Sequence, residues 1–147
     1  MNEYKIRKAV ITGGSGGVGI ALIQKLISEN VEVVVFQRKD SKRKNNLPKH
    51  KLLKIEYCSL EELKDYCPKE TGYDVFFHLG WANTQRAMRN NIDEQNKNVI
   101  IHAMRLRLRI KWGVILLLEQ EVRRNMEGVR KHSVQILCVD QKLLMAS

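Results

Sequence analysis

The chain has 147 residues, of which 44% are hydrophobic and 29% charged, as is typical of one globular domain. It has no apolar run long enough to cross a bilayer and no signal-peptide core at its start, so we expect a cytoplasmic protein with no membrane partner. The net charge of +10 points to nucleic acid. The basic residues fall in two clusters, at residues 38–54 and 105–111, and the second is followed by Arg123, Arg124, Arg130 and Lys131. Neither cluster is interleaved with aromatics, however, so we do not expect that partner.

Strands and helices alternate through the first two thirds of the chain. A short apolar, β-branched run predicts a buried parallel strand at residues 8–12, and further strands are predicted at 31–36, 52–57 and 73–79. Helical spacing of apolar residues predicts helices at 18–28 and 93–107, and Ser59 with Glu62 predicts a capping box for a short helix ending near Tyr66. This order predicts an α/β fold, a Rossmann-type doubly wound parallel sheet with helices on both faces.

The last third has a different pattern. It contains no proline and few glycines, and it predicts strands at residues 114–118 and 133–139 with a charged helical stretch between them. We therefore expect a truncated sheet of five to six strands. Residues 1–106 form the Rossmann domain in this interpretation, and residues 107–147 form an atypical tail.

Three cysteines, Cys58, Cys67 and Cys138, are widely separated in the sequence. Their odd number and the absence of a Cys-x-x-Cys pair predict partly buried thiols, with no disulfide framework and no metal site.

The segment between the first strand and the first helix has the pattern Gly-x-x-Gly-x-x-Gly. In a strand–turn–helix context, the first glycine permits the tight turn, the second lets the backbone approach a pyrophosphate, and the third lets the helix pack closely on the strand. The pyrophosphate would lie at the positive end of the helix dipole. The predicted cofactor-binding residues here are Gly13, Gly14, Ser15, Gly16, Gly17, Val18 and Gly19.

The end of the second predicted strand bears on the choice of dinucleotide. NAD-specific domains have a carboxylate there for the ribose 2′-hydroxyl, whereas this chain has Gln37 followed by Arg38. Arginine pairs with a 2′-phosphate that a carboxylate would repel. The sequence therefore favours NADP over NAD, although Asp40 keeps NAD open as the alternative.

Three segments together resemble the extended short-chain dehydrogenase/reductase family, the NAD-dependent epimerase/dehydratase group that acts on nucleotide sugars. They are the glycine motif, the Asp-x-x-x-His-Leu segment from Asp74, and a helical segment with Gln95, Asn98, Val99 and Ala103. The resemblance covers residues 5 to about 106.

The resemblance implies further cofactor contacts. The fourth strand would end against the cofactor at His78, Leu79 and Gly80, and the third strand would be followed by Ser59 and Leu60, where the family has an aspartate near the adenine. It also implies a nucleotide-sugar substrate for a full-length parent protein, and a homo-oligomer is one assembly we consider.

The family's proton-transfer pair, Tyr-x-x-x-Lys, is not found. Tyr57, Tyr66 and Tyr73 have no lysine four residues later, and no tyrosine follows Tyr73. Tyr4 has Lys8 at that spacing but precedes the first strand. In the family the lysine lowers the tyrosine pKa so that the phenol exchanges a proton, so the resemblance predicts a chain that binds its cofactor without this catalytic pair.

A shifted reading frame would explain the missing pair. Read one base early, the codons of residues 118–127 permit Gly-Ala-Gly-Ser-Gln-Ala-Glu-Tyr-Gly, which resembles the family's segment around its catalytic serine. The codons of Leu144, Met145 and Ala146 permit Tyr-Gly. We therefore interpret the tail as out-of-frame sequence, with a shift near residues 106–111.

Two other functions remain open at this stage. The first is a small atypical NAD(P)-dependent reductase in which His78 or Cys58 moves the proton. The second is a non-enzymatic basic protein that binds nucleotides or nucleic acid, with binding that weakens steeply as salt rises.

Overall fold

The structure is a computed structural model that describes residues 5–67, 69–82, 88–112, 114, 116–124 and 130–138. Within these ranges the chain forms six strands, two α-helices and three short 3₁₀ turns. The strands and helices, in chain order, are β1 (Lys8–Thr12), α1 (Gly17–Ser28), β2 (Glu32–Gln37), β3 (Leu53–Tyr57), β4 (Val75–His78), α2 (Ile92–Trp112), β5 (Leu116–Arg124) and β6 (Arg130–Cys138). The 3₁₀ turns are Lys44–Asn46, Glu62–Lys64 and Met88–Asn90.

All six strands belong to one sheet, in the order β3-β2-β1-β4-β5-β6. Pairing is parallel from β3 to β5, and β6 pairs antiparallel to β5. The chain moves outward from β1 to β3 and then returns to β4 on the other side of β1. The strand order therefore reverses between β1 and β4, as in a doubly wound sheet, and the predicted Rossmann-type fold is confirmed.

The two faces of the sheet are buried by different segments. Ile11 and Val35 pack on one face with Ile23 and Leu26 of α1. Val10 and Phe76 pack on the other face, in a cluster supplied mainly by the β3–β4 connection. Since successive side chains of a strand point to opposite faces, a strand buried on both sides is continuously apolar, which is why the sequence signal was clear.

The structure departs from the sequence prediction mainly beyond residue 106. α2 runs without interruption to Trp112. The stretch between the two predicted tail strands was expected to be helical, which is wrong for its described part, because β5 extends to Arg124 and β6 begins at Arg130. Antiparallel pairing continues to the pair Arg124–Arg130. The hydrogen bonds between the two strands thus give the backbone N–H and C=O groups the partners that they would otherwise find within a helix. Residues 125–129 lie outside the described residues, as does the end of the predicted sixth strand at residue 139.

Neither helix, in the part of the chain that the structure describes, is both long and apolar enough to span a membrane.

Asp74 fixes the start of β1 against β4. Its carboxylate Oδ2 accepts hydrogen bonds from the backbone N–H groups of Arg7 and Lys8, at 2.6 and 2.8 Å, and its side chain is nearly buried. Bonds to a charged acceptor contribute about 1.5–3 kcal/mol each. We therefore expect Asp74→Ala to lower the free energy of unfolding by about 3 kcal/mol, measured by urea denaturation.

Asp65→Ala is the matched control. The Asp65 side chain is 81% exposed and lies 3.9 Å from Nζ of Lys64, so its loss should change stability by less than about 0.5 kcal/mol. Equal losses in the two variants would contradict the role given to Asp74.

Candidate functional site

The glycine turn between β1 and α1 contains glycines that the fold itself requires. Gly13 has a φ of +74°, and a Cβ built on it would lie 2.7 Å from the backbone N of Gly80. A Cβ on Gly19 would lie 2.5 Å from the carbonyl oxygen of Gly13, and one on Gly14 would lie 2.8 Å from Cγ1 of Val35. These three glycines allow the turn to pack against β4, α1 and β2.

Gly16 and Gly17 have space around them. A Cβ on Gly16 would meet only the Gly13 carbonyl oxygen, at 3.4 Å, and one on Gly17 would meet nothing within 4 Å. The fold therefore does not need a glycine at either position. Bare backbone with open space before it is what the close approach of a ligand requires.

The same glycines form the N-terminus of α1. Gly16 is the N-cap in extended conformation, no side chain caps the helix, and the first turn contains no acidic residue. The first N–H groups of an α-helix have no partner within the helix, and the helix dipole makes this end positive. The turn therefore presents backbone donors and partial positive charge, which suit an anionic group such as a phosphate.

The end of β4 forms one wall beside the glycine turn. Thr12, the last residue of β1, accepts hydrogen bonds from the N–H groups of Leu79 (to its carbonyl, 3.1 Å) and Gly80 (to Oγ1, 3.3 Å). Thr12 Oγ1 also lies 2.8 Å from Nδ1 of His78, whose ring is buried. A Cβ on Gly80 would lie 3.0 Å from Leu60. Leu60, His78, Leu79 and Gly80 are thus brought together, and their contact with a cofactor stays a prediction.

The end of β2 forms the opposite side of the turn. Gln37 ends the strand and is only 5% exposed, while Arg38 and Asp40 are exposed. Ser41 is buried, and its N–H donates to the carbonyl of Arg38 at 3.2 Å. A buried amide followed by an exposed guanidinium can supply a positive charge to a ligand lying over the strand ends.

Ser59 has a local task in the structure. Its N–H donates to the Glu62 carboxylate at 2.8 Å, and its hydroxyl accepts from the Glu62 N–H at 3.2 Å. This is the predicted capping box, and it lowers the pKa of Glu62 through the hydrogen bonds from Ser59. The hydroxyl of Ser59 is therefore already engaged at the position where the resemblance placed it near an adenine.

Tyr66 and Tyr73 do not have the properties of a catalytic phenol. Burial, with the neighbouring carboxylates adding to it, raises the pKa of Tyr66 and of Tyr73, whereas a proton-exchanging tyrosine needs a lowered one. Both line a small cavity together with Lys54 and Glu56, and no residue of the glycine turn lines it. Tyr4 lies outside the described residues.

The alternative proton donors are held in structural contacts. Burial, with a smaller effect of Glu62, raises the pKa of the Cys58 thiol to about 11, and its Sγ donates to the Ser59 carbonyl at 3.3 Å. A thiol with so high a pKa is a weak acid at neutral pH. His78 packs edge-on against Phe76 in addition to its contact with Thr12.

The first basic cluster is not one uniform surface. Lys54 lies 3.2 Å from Glu56 and 3.6 Å from Glu70, so its charge is partly balanced. Lys39, Lys42 and Lys44 are exposed.

No group of three or more His, Cys, Asp or Glu side chains that could hold a metal ion occurs among the residues that the structure describes.

The site also contains polar residues whose role the sequence did not reveal. Asn98 and Gln95 of α2 hold the segment that follows β4 through their side-chain amides. In the sequence they contributed to the family resemblance, but their contacts were not predictable, because a buried asparagine cannot be distinguished from an exposed one by helical periodicity alone.

Comparison with known proteins agrees with this geometry. The model of the NAD-dependent epimerase/dehydratase family matches residues 9–108. The structure is similar to that of a UDP-galactose 4-epimerase, with 26% identity over 74% of this chain and 35% of the other, and a TM-score of 0.60. It is also similar to the Bordetella bronchiseptica enzyme WbmG in complex with NAD, with 18% identity over 80% of this chain and 38% of the other, and a TM-score of 0.63.

A third similar structure is the epimerase Mth375 from Methanothermobacter thermautotrophicus, with 22% identity over 76% of this chain and 34% of the other, and a TM-score of 0.56. The chain thus spans roughly a third of the length of these solved relatives. No curated protein matches it.

Proposed function

Because this chain belongs to the NAD-dependent epimerase/dehydratase family, we propose that its first 106 residues form a module that binds one dinucleotide, NADP in preference to NAD. The observation that carries the proposal is the open backbone at Gly16 and Gly17, at the uncapped N-terminus of α1. The fold would tolerate a Cβ at either position, so packing alone does not explain the two glycines. A ligand that approaches this backbone closely does explain them.

In this proposal the residues of the turn hold the pyrophosphate through backbone N–H groups. The adenosine half lies toward Gln37 and Arg38 at the end of β2, with Leu60 beside it, and the nicotinamide half lies toward Leu79 and Gly80 at the end of β4. When bound, the dinucleotide supplies hydride transfer. The chain's own residues bind and orient it.

The full-length parent, in the same proposal, is an oxidoreductase or isomerase that acts on a nucleotide sugar. Similarity to Bordetella bronchiseptica WbmG, whose structure is known in complex with NAD and UDP, supports this class of substrate. The chain supplies the cofactor pocket, but its sequence has no Tyr-x-x-x-Lys pair after the first strand, so we propose that it is inactive alone.

The direct test is titration of the purified chain with NADPH and with NADH, followed by the cofactor's fluorescence. Saturable binding of either supports the proposal, and no binding of both overturns it. Repeating the titration at about 0.05 and 0.5 M salt separates this function from the basic-protein alternative, whose binding should weaken by orders of magnitude.

Preference for NADP depends on Arg38 in this account. Because its guanidinium would pair with the 2′-phosphate, Arg38→Ala should weaken NADPH binding about tenfold and leave NADH binding within about twofold. Lys49→Ala, which removes an exposed positive charge from the same connection, is the control. Parallel losses for both cofactors would contradict the assignment.

We further propose that residues 107–147 are translated out of frame. The support lies in the codons: reading residues 118–127 one base early permits the family's serine-bearing segment. The coding nucleotide sequence tests this. If the early frame spells Gly-Ala-Gly-Ser-Gln-Ala-Glu-Tyr-Gly, the proposal stands, and any other segment there overturns it.

A further inference from the structure

The segment of residues 79–82 is held from two sides. At its start, Thr12 accepts hydrogen bonds from the N–H groups of Leu79 and Gly80. At its end, Ala82 is bound by α2. A segment that leaves a strand without joining a helix at once normally has few fixed contacts, so this double attachment needs an explanation.

Asn98 makes the attachment to α2. Its Oδ1 accepts a hydrogen bond from the Ala82 N–H at 3.0 Å, and its Nδ2 donates to the Ala82 carbonyl at 2.9 Å. The residue is 4% exposed. Both polar ends of one buried amide are therefore used on the backbone of a single residue, which fixes the position and the orientation of that backbone.

Gln95, one turn earlier on α2, extends the contact. Its Oε1 accepts a hydrogen bond from Nε1 of Trp81 at 2.9 Å, and its Nε2 donates to the carbonyl of Met88 at 3.1 Å. The indole that follows Gly80 is thus bound to the same helix. Asn98 and Gln95 together form what we call the amide clamp.

The wall that the clamp holds faces the glycine turn. A Cβ on Gly13 would lie 2.7 Å from the backbone of both Leu79 and Gly80, so the turn and this segment are in contact. A shift of residues 79–82 would change the width of the site on the β4 side, while the β2 side, at Gln37 and Arg38, would stay in place.

We propose that Asn98, supported by Gln95, is a positioning residue that holds residues 79–82 as the nicotinamide-side wall of the dinucleotide site. This inference rests on the proposed function. It predicts an uneven effect on ligands: loss of the clamp weakens binding of the whole dinucleotide and leaves binding of its adenosine half unchanged.

The test compares wild type with Asn98→Leu, which keeps the approximate side-chain volume and removes both hydrogen bonds. In each variant, the affinity for NADPH is compared with that for 2′-phospho-ADP, and the affinity for NADH with that for ADP. Each fragment is the dinucleotide without its nicotinamide riboside. We expect about a tenfold loss for the dinucleotide and less than a twofold change for the fragment. Asn96→Leu, at an exposed position of the same helix, should change neither.

Gln95→Leu keeps the inference testable if Asn98→Leu does not fold, because Gln95 is only partly buried. Its loss removes the hydrogen bonds to Trp81 and Met88 and leaves the two between Asn98 and Ala82 in place. It should show the same uneven effect, reduced to about threefold. Trp81→Phe removes the indole donor of the same bond, so the double variant should bind no more weakly than the weaker single variant.

Equal losses for dinucleotide and fragment, or unchanged binding of both in the folded variants, would overturn the inference and assign the clamp to fold stability alone. A wild-type chain that binds neither dinucleotide would instead overturn the proposed function, so the two failures can be told apart.

Discussion

Gly16→Val is expected to abolish dinucleotide binding, weakening it at least about 100-fold, while the chain remains folded. A Cβ on Gly16 would meet the Gly13 carbonyl oxygen at 3.4 Å, which is ordinary van der Waals contact, and the residue has a φ of −77° that valine adopts readily. The fold therefore accepts the substitution, at a cost of about 1 kcal/mol for a β-branched N-cap. A pyrophosphate can no longer bind, because the isopropyl group of the valine fills the space before the helix N-terminus.

The measurement is a pair of experiments on one preparation, urea denaturation and dinucleotide titration. Ala21→Val places the same side chain at an exposed position of α1 and should bind as wild type does. Retained binding in folded Gly16→Val would show that the ligand, if any, does not approach this backbone.

Gly19→Ala, unlike Gly16→Val, should act mainly by destabilising the fold and not by blocking the ligand. Glycine to alanine inside a helix normally stabilises by about 1 kcal/mol. Here the added methyl would lie 2.5 Å from the Gly13 carbonyl oxygen and 2.6 Å from Cα of Gly14. These are backbone atoms, so the turn and α1 must separate, and we expect a loss of about 3 kcal/mol in the free energy of unfolding.

Gly17→Ala is the stability control for this pair. It lies two residues earlier in the same helix, with no atom within 4 Å of the added Cβ, so its stability should be unchanged or slightly raised. If Gly19→Ala is as stable as Gly17→Ala, the close approach of turn and helix does not constrain the fold.

β1, β2, β4 and α1 were predictable because their buried residues recur on a regular period, whereas β3 is a partly exposed strand at the edge of the sheet. β1 was predicted with its observed bounds, and α1 was predicted to within one residue. The strand order followed from the alternation of elements, since parallel neighbours need a crossover between them. Burial on both faces makes such strands continuously apolar, and a glycine-rich turn marks where the first helix begins.

The different tasks of Gly13, Gly16 and Gly19 were expected from the motif, but the packing of the other glycines of the turn was not predictable. The motif does not distinguish Gly14, where a Cβ would lie 2.8 Å from Cγ1 of Val35, from Gly17, where a Cβ would meet nothing within 4 Å. That difference depends on which atoms of β2 and α1 lie across the turn, and spacing along the chain contains no such distances. The clamp at Asn98 was missed for the same reason.

The tail shows a second limit. The charged stretch between residues 118 and 133 was interpreted as helical, yet β5 and β6 pair over its described part. Where a segment has no turn residues, its secondary structure depends on which strand edge is available for pairing, and β4 offers such an edge to β5. The missing tyrosine–lysine pair, in contrast, was evident from the sequence because that test is one of presence and spacing.

The central claim, that the glycine turn and the adjoining ends of β2 and β4 bind a dinucleotide, is tested most directly by mapping backbone amide chemical shifts during a dinucleotide titration. We predict the largest changes at the amides of Gly16, Gly17 and Val18, with smaller ones at Arg38 and Gly80. Changes confined to the exposed lysines of the β2–β3 connection, with the glycine turn unaffected, would contradict it.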